Sequence, residues 1–287
     1  MISFSYQKLS GAGNTFIVVE GKDIPQGTDL PSLTQASCSN EHEHGGADGL
    51  IVLDHSDTHD FAMHYYNRDG STGMMCGNGG RCAVQFAVAH GYTSSTTSIM
   101  FINAGVVYSA EMTGKNVRIS FPDPPKIQLH LNLNILGTQR ICHYADVGTP
   151  HLILFKDVLE VDALADLEMK RWGPAVRNHP LVRPEGANAN FIEVLPEEKG
   201  IRLRTFERGV EGETGACGTG AIASGIASSL LHGWSSPVNV IPTSGSLLQV
   251  HFDRDEEGAL HNLGLEGGAE VLMEGKLSLA TLPFVQS

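Results

Sequence analysis

Two stretches of this chain resemble each other, and that repeat limits the possible folds more than any other feature. "CGNGGRCAVQFAVAHGY" begins at Cys76, and "CGTGAIASGIASSLLHGW" begins at Cys217. In each, a cysteine is followed by Gly-polar-Gly, then by an apolar run. Each run ends in His-Gly-aromatic, as His90-Gly91-Tyr92 and as His232-Gly233-Trp234. The cysteines stand 141 residues apart in a chain of 287. A motif that recurs after half the chain implies two halves built alike.

Each copy has a helical pattern. Small residues open it, apolar residues recur at Val84, Phe86, Ala87 and Val88 or at Ile222, Ile226 and Leu230, and Gly91 or Gly233 stops it. Both runs are rich in alanine and glycine and poor in charge, which predicts two buried helices. Around them, alternation and β-branched residues predict strands at Phe16–Glu20, Leu50–Asp54, Phe61–Tyr66, Val117–Phe121, His151–Phe155, Asn190–Leu195, Ile201–Phe206 and Leu247–Phe252. The expected fold is α/β, with two pseudo-symmetric halves. Each would be a curved, barrel-like sheet around a central apolar helix, with the active site in the cleft between them. The boundary reads as 1–122, joined by a C-terminal return over 273–287, and 123–272. The Pro-rich "FPDPP" (121–125) is the expected crossing.

Composition removes several functions. Thirty-two acids against 19 bases leave a formal net charge of −13, the wrong sign for nucleic acid or an anionic membrane. No basic segment with an apolar core opens the sequence, and no apolar run reaches the ~18 residues that span a bilayer. A cytoplasmic location is the expectation. Five cysteines at 38, 76, 82, 142 and 217 then read as thiols, and their spacing is wrong for structural zinc. Taken alone, Cys76 is a packed small hydrophobe or a working thiol.

The repeat favours work. The first turn of a helix offers unpaired backbone N–H groups and a partial positive charge, so a thiol there should ionise more easily than usual. The glycines that follow let a carboxylate approach the same N–H groups. One such turn suits a nucleophile. Two, from equivalent halves that face each other, suit inversion of a carbon. A thiolate removes a proton from one face, a thiol returns one to the other, and both helix starts hold the carboxylate.

The chain resembles the diaminopimelate epimerase family of cofactor-independent amino-acid epimerases. The resemblance rests on "QKLSGAGNTFIVVEG", "GGADGLIVL", "YYNRDGSTGMMCGNGGRC", "VGTPH", "GANANF" and "FERGVEGETGACGTG", which appear in the family's order. It implies an isomerase that interconverts L,L- and meso-diaminopimelate for lysine and peptidoglycan precursor synthesis. Cys76 and Cys217 are then the acid/base pair, and the turns Gly77-Asn78 and Gly218-Thr219 hold the α-carboxylate. Asn14, Asn67, Asn188, Glu207 and Arg208 bind substrate, the last two on adjacent strand positions. His151 tunes the thiols, as does Glu207. No cofactor and no metal are implied, the partner is a small amino acid, and the assembly is a homodimer. Thr149 is also expected to bind substrate, although the family commonly has a substrate-binding asparagine there, and Arg68 stands where a small residue is commoner. Both departures concern the distal half of the substrate.

Other readings stay open. Asn14 and Asn67 suit turns, and His151 could be a satisfied histidine at a strand start. A racemase of another amino acid fits the same scaffold. A cysteine hydrolase using Cys76 leaves Cys217 idle, and a Cys76–Cys82 redox pair would sit on different helix faces. "EHEHGG" (41–46), with His55, His59 and His64, reads as a polar loop before a metal tract. The Gly-rich stretches lack the features of a nucleotide site.

Overall fold

The computed structural model describes residues 2–40, 45–72, 76–121 and 125–279. Most of "EHEHGG" and the centre of "FPDPP" lie outside the described residues, as does the end of the proposed C-terminal return. What is described forms two compact units, residues 2–119 with 267–279, and residues 120–266.

The first unit holds strands β1 (Ile2–Gly11), β2 (Asn14–Glu20), β3 (Gly49–Asp54), β4 (Phe61–Asn67), β5 (Ile99–Asn103), β6 (Val106–Thr113) and β7 (Asn116–Ser120), with helices α1 (Leu30–Ser37) and α2 (Gly77–Ala89). The second holds β8 (Lys126–Ile135), β9 (Thr138–Asp146), β10 (Pro150–Phe155), β11 (Asn188–Leu195), β12 (Gly200–Glu207), β13 (Gly212–Thr214), β14 (Val238–Pro242), β15 (Leu248–Arg254) and β16 (Leu260–Gly268), with α3 (Met169–Arg177) and α4 (Gly218–His232). A last strand, β17 (Glu270–Leu279), returns to the first unit and pairs antiparallel with β1.

The two units repeat one pattern of pairing. From β17 the order runs through β1, β2, β3, β4, β5 and β6, with parallel steps only at β2–β3 and β4–β5. From β8 it runs through β9, β10, β11, β12, β14 and β15, with parallel steps only at β10–β11 and β12–β14. β17 therefore fills in the first unit the place that β8 fills in the second. Each sheet curves around its own helix. α2 touches β1 to β4, and α4 touches β9 to β12, β14 and β15. The expected pair of pseudo-symmetric α/β halves is present.

Local chemistry explains the parts. "GLIVLD" of β3 and "PHLILF" of β10 are apolar on both faces and lie in parallel pairs, buried by helices as such strands require. From Gly220 to Ser229 every residue of α4 is buried, which an uncharged, small-residue helix permits. The helix ends repeat as well. Tyr92 N–H bonds Ala87 O at 2.9 Å and Trp234 N–H bonds Ser229 O at 3.1 Å, across Gly91 and Gly233 at φ +73° and +68°. Only glycine takes that backbone without strain, so "His-Gly-aromatic" is a helix-ending device.

Candidate active site

In the first unit, Cys76 caps α2 with φ −91° and ψ 114°, and Gly77 and Asn78 form the first turn. Asn14 opens β2 beside that turn. The Asn78 side-chain amide donates to Asn14 Oδ1 at 2.7 Å, and the Asn14 amide lies 3.4 Å from Asp48 Oδ2. Asp48 Oδ2 also accepts Thr15 N–H at 2.8 Å. Behind the turn lies Arg81, fully buried, which donates to Asn78 Oδ1 at 2.8 Å and to Gly77 O at 3.3 Å. Its Nε has no hydrogen-bond partner among the described residues. Burial lowers the pKa of Arg81, and the sulfurs of Cys82 and Cys76, in their thiolate forms, oppose that shift without reversing it. A guanidinium keeps its charge even so, which puts a buried cation at the base of the Cys76 turn.

Asn67 ends β4. Its Oδ1 accepts Tyr65 Oη–H at 2.8 Å and its amide donates to Ser71 Oγ at 3.0 Å, so both ends of the side chain hold the turn.

In the second unit, Cys217 caps α4 with φ −109° and ψ 113°, nearly the backbone geometry of Cys76. The surroundings differ. Cys217 is 4% exposed, and its Sγ accepts Gly220 N–H at 3.4 Å and lies 3.6 Å from Thr219 Oγ1. Thr149, just ahead of β10, donates to Thr219 Oγ1 at 3.2 Å and lies 3.1 Å from Nε2 of His151. His151 is fully buried, with its Nδ1 3.0 Å from the amide of Asn190. Burial, with Arg208 nearby, pushes the His151 pKa down to about 3, so the ring is neutral at ordinary pH. Asn188 Oδ1 accepts Arg208 N–H at 2.7 Å. Parallel β10 and β11 start here and antiparallel β12 ends here, which is why Thr149, His151, Asn188, Glu207 and Arg208 meet the Cys217 turn.

Two expectations are corrected. β12 ends at Glu207 and Arg208 begins a turn, so the pair does not occupy adjacent strand positions. Nor does the helix start acidify Cys217. Burial pushes its thiol pKa well above the ordinary value, and the Glu207 carboxylate beside it, which takes a hydrogen bond from the sulfur, pushes the same way. Thr219 and Gly220 oppose the shift without reversing it. At this turn desolvation and a like charge outweigh the partial charge of the helix.

The other three cysteines are buried thiols, with burial raising Cys38 to about 11 and Cys82 and Cys142 to about 12. The nearby histidines have protein partners. His55 stacks on Tyr92 with ring centroids 4.7 Å apart, His59 lies 2.8 Å from Thr58 Oγ1, and His64 pairs with Asp54 at 3.2 Å. Among the described residues no group of His, Cys, Asp or Glu is arranged to hold a metal ion, and no helix is long and apolar enough to cross a membrane.

Arg81 and Asn190 were not singled out from the sequence. Arg81 falls one turn after Gly77, and Asn190 shares a strand face with Asn188, so helix and strand periods carried a signal for each.

The family model described as diaminopimelate epimerase matches residues 6–121 and 143–264. The diaminopimelate epimerase of Chlorobaculum tepidum is 38% identical over 277 residues, covering 94% of this chain and 100% of the relative. That of Aquifex aeolicus is 34% identical over 293 residues, covering 97% and 99%. Among solved structures, a phenazine biosynthesis protein of the PhzF family from Bacillus anthracis aligns with TM-score 0.70 at 14% identity, over 97% of this chain and 100% of the other. A probable proline racemase from Agrobacterium radiobacter with bound carbonate aligns at 0.67 and 15%, over 98% and 94%. At such identities the structures are evidence of a shared fold alone.

Proposed function

The chain belongs to the diaminopimelate epimerase family and is an isomerase of the epimerase type, and from that premise we propose that it interconverts L,L- and meso-diaminopimelate with Cys76 and Cys217 as its acid and base. The observation that carries the proposal is the repeated cap: two cysteines with matched backbone geometry, each opening a buried helix, one in each unit. In this reading one sulfur takes the α-proton and the other returns a proton to the opposite face. The N–H groups of Gly77-Asn78 and Gly218-Thr219 hold the α-carboxylate and the charge that grows on it. Arg208 supplies a fork for carboxylate and Glu207 a partner for ammonium, while Asn14, Asn67 and Asn188 present neutral amides.

Cys217 starts from the thiol, held there by burial and by Glu207, so it suits the acid in the direction where Cys76 is the base. Cofactor independence, a homodimer, and a place in lysine and peptidoglycan precursor synthesis accompany the family reading. A racemase of another amino acid is the second reading. It is favoured by Thr149, whose hydroxyl is engaged by His151 and Thr219.

Solvent exchange tests both. In D₂O the protein should place deuterium at an α-carbon of diaminopimelate and leave other amino acids unlabelled. Labelling of another amino acid, with none in diaminopimelate, overturns the first reading.

A further inference from the structure

The hydrogen bonds around His151 can be given directions by counting protons. Thr149 donates its one hydroxyl proton to Thr219, so its contact with His151 Nε2, at 3.1 Å, must be one in which the ring N–H donates. A neutral ring with its proton on Nε2 must accept at Nδ1, and the Asn190 amide, 3.0 Å away, is the donor there. Asn190 is oriented in turn by Thr205, whose hydroxyl donates to its Oδ1 at 3.0 Å, and both residues are buried. Thr219 has accepted from Thr149, so its own proton is left for Cys217 Sγ, 3.6 Å away. Every bond in the series points the same way, from Thr205 toward the sulfur. None of the members is charged.

We propose that Thr149 is a positioning residue: it joins buried His151 to Thr219, making a one-way donor chain that ends on Cys217 Sγ and supports the negative charge formed when that sulfur gives up its proton. The inference rests on the acid/base role proposed for Cys217. A threonine can pass the chain on because one oxygen both accepts and donates. The family's commoner asparagine would receive and give through different atoms.

The chain predicts an effect confined to one cysteine. Alkylation by iodoacetamide, followed site by site by mass spectrometry across a pH series, reads the thiolate at each position without requiring turnover. Thr149→Val keeps the side-chain shape and cuts the chain, and Cys217 alkylation at pH 7 should slow by about three- to tenfold, as a modest rise in thiol pKa requires. Cys76 alkylation should not change. Thr149→Ser, which keeps the hydroxyl, should restore the wild-type Cys217 rate. Thr219→Val cuts the chain one link later and should match Thr149→Val. An unchanged Cys217 rate in both valine variants overturns the proposal, as does an equal fall in the serine variant. Loss of the epimerase reading through the deuterium assay would leave these rates as they are, so the two failures are distinguishable.

Discussion

The turn at Cys76 and the turn at Cys217 share backbone and differ in charge. Both cysteines cap buried helices with similar φ and ψ, and both are followed by glycine-rich first turns. Beneath Cys76 lies the guanidinium of Arg81, fully buried and bonded to Asn78 and Gly77. Beside Cys217 lies the carboxylate of Glu207, along with the neutral chain through Thr219, Thr149 and His151. A cation favours thiolate and an anion favours thiol. The repeat thus preserves the backbone geometry proposed to hold a carboxylate and splits the charges beside the two sulfurs. A symmetric scaffold needs such a split if one sulfur is to start as base while the other starts as acid.

The most severe way to break the comparison is to remove one sulfur at a time. Serine in place of Cys76 or Cys217 leaves a hydroxyl, a far weaker base at neutral pH, and epimerisation needs both faces. Either single variant should lose about 10²–10⁴-fold in turnover, the usual worth of a general acid or base. Elimination from an analogue with a leaving group β to the α-carbon needs proton removal alone. Cys76→Ser should retain it for one stereoisomer and Cys217→Ser for the other. A variant that epimerises normally in both directions shows that its cysteine only packs, and the halves are then not functionally equivalent.

How legible this was in the sequence depends on the range of each interaction. The repeat, both core helices and strands such as β3 and β10 were readable, because apolar runs and glycine stops are local signals. Helix α3 was not. It carries Gly173 and Pro174 inside it and is held by tertiary burial, with Trp172 under the Arg140 guanidinium at 4.9 Å. The pairing of β1 with β17 joins Phe4 to Leu277, and no short window of sequence reports on so distant a partner. At the site, the two cysteines and their turns followed from the repeat, and the flanking asparagines from the family resemblance. The role of Arg81 was hidden because an arginine on a helix usually reads as a solvated side chain. The directed chain to Cys217 was hidden because it spans β10, β11, β12 and α4.

Charge changes sharpen the comparison at smaller cost. Arg81→Met removes the buried cation, so Cys76 alkylation at neutral pH should slow by about tenfold while Cys217 keeps its rate. The same change removes the buried donor to Asn78 Oδ1 and Gly77 O and should lower stability by about 1–3 kcal/mol. Glu207→Gln removes the anion, and Cys217 alkylation should speed up by about three- to tenfold with Cys76 unaffected. Opposite signs at the two turns are what the charge split requires. Two rates that fall together, or do not move, contradict it.

The smallest effect separates the halves by acid. In the second unit two buried histidines are held neutral by burial, His151 at about 3 and His143 at about 4, against an ordinary value of 6.5. The unfolded chain takes up their protons as pH falls below 6.5 and the folded chain does not, so stability is whole above that pH and declines beneath it. Each group costs at most ~1.4 kcal/mol per pH unit across that window. Among the described residues of the first unit the buried polar ones are Thr34, Ser37, Asn78, Arg81 and Asn103, and none changes charge in this range. Glu20, one of the first unit's paired carboxylates, lies below its ordinary 4.5: burial, the largest influence, raises it, but Lys22, His90 and Tyr92 together outweigh burial. A depressed carboxylate loses its contribution only as pH falls below that ordinary value. Between pH 6.5 and 4.5 the acid response should therefore belong to the second unit. Hydrogen exchange read by mass spectrometry, corrected for the intrinsic pH dependence of exchange, should show protection falling in β10 and β11 while β2 and β3 hold. His143→Gln should shallow the fall, since one of the two protonating groups is gone. Equal losses in both units across that window would mean that the second unit's histidines do not set its response to acid.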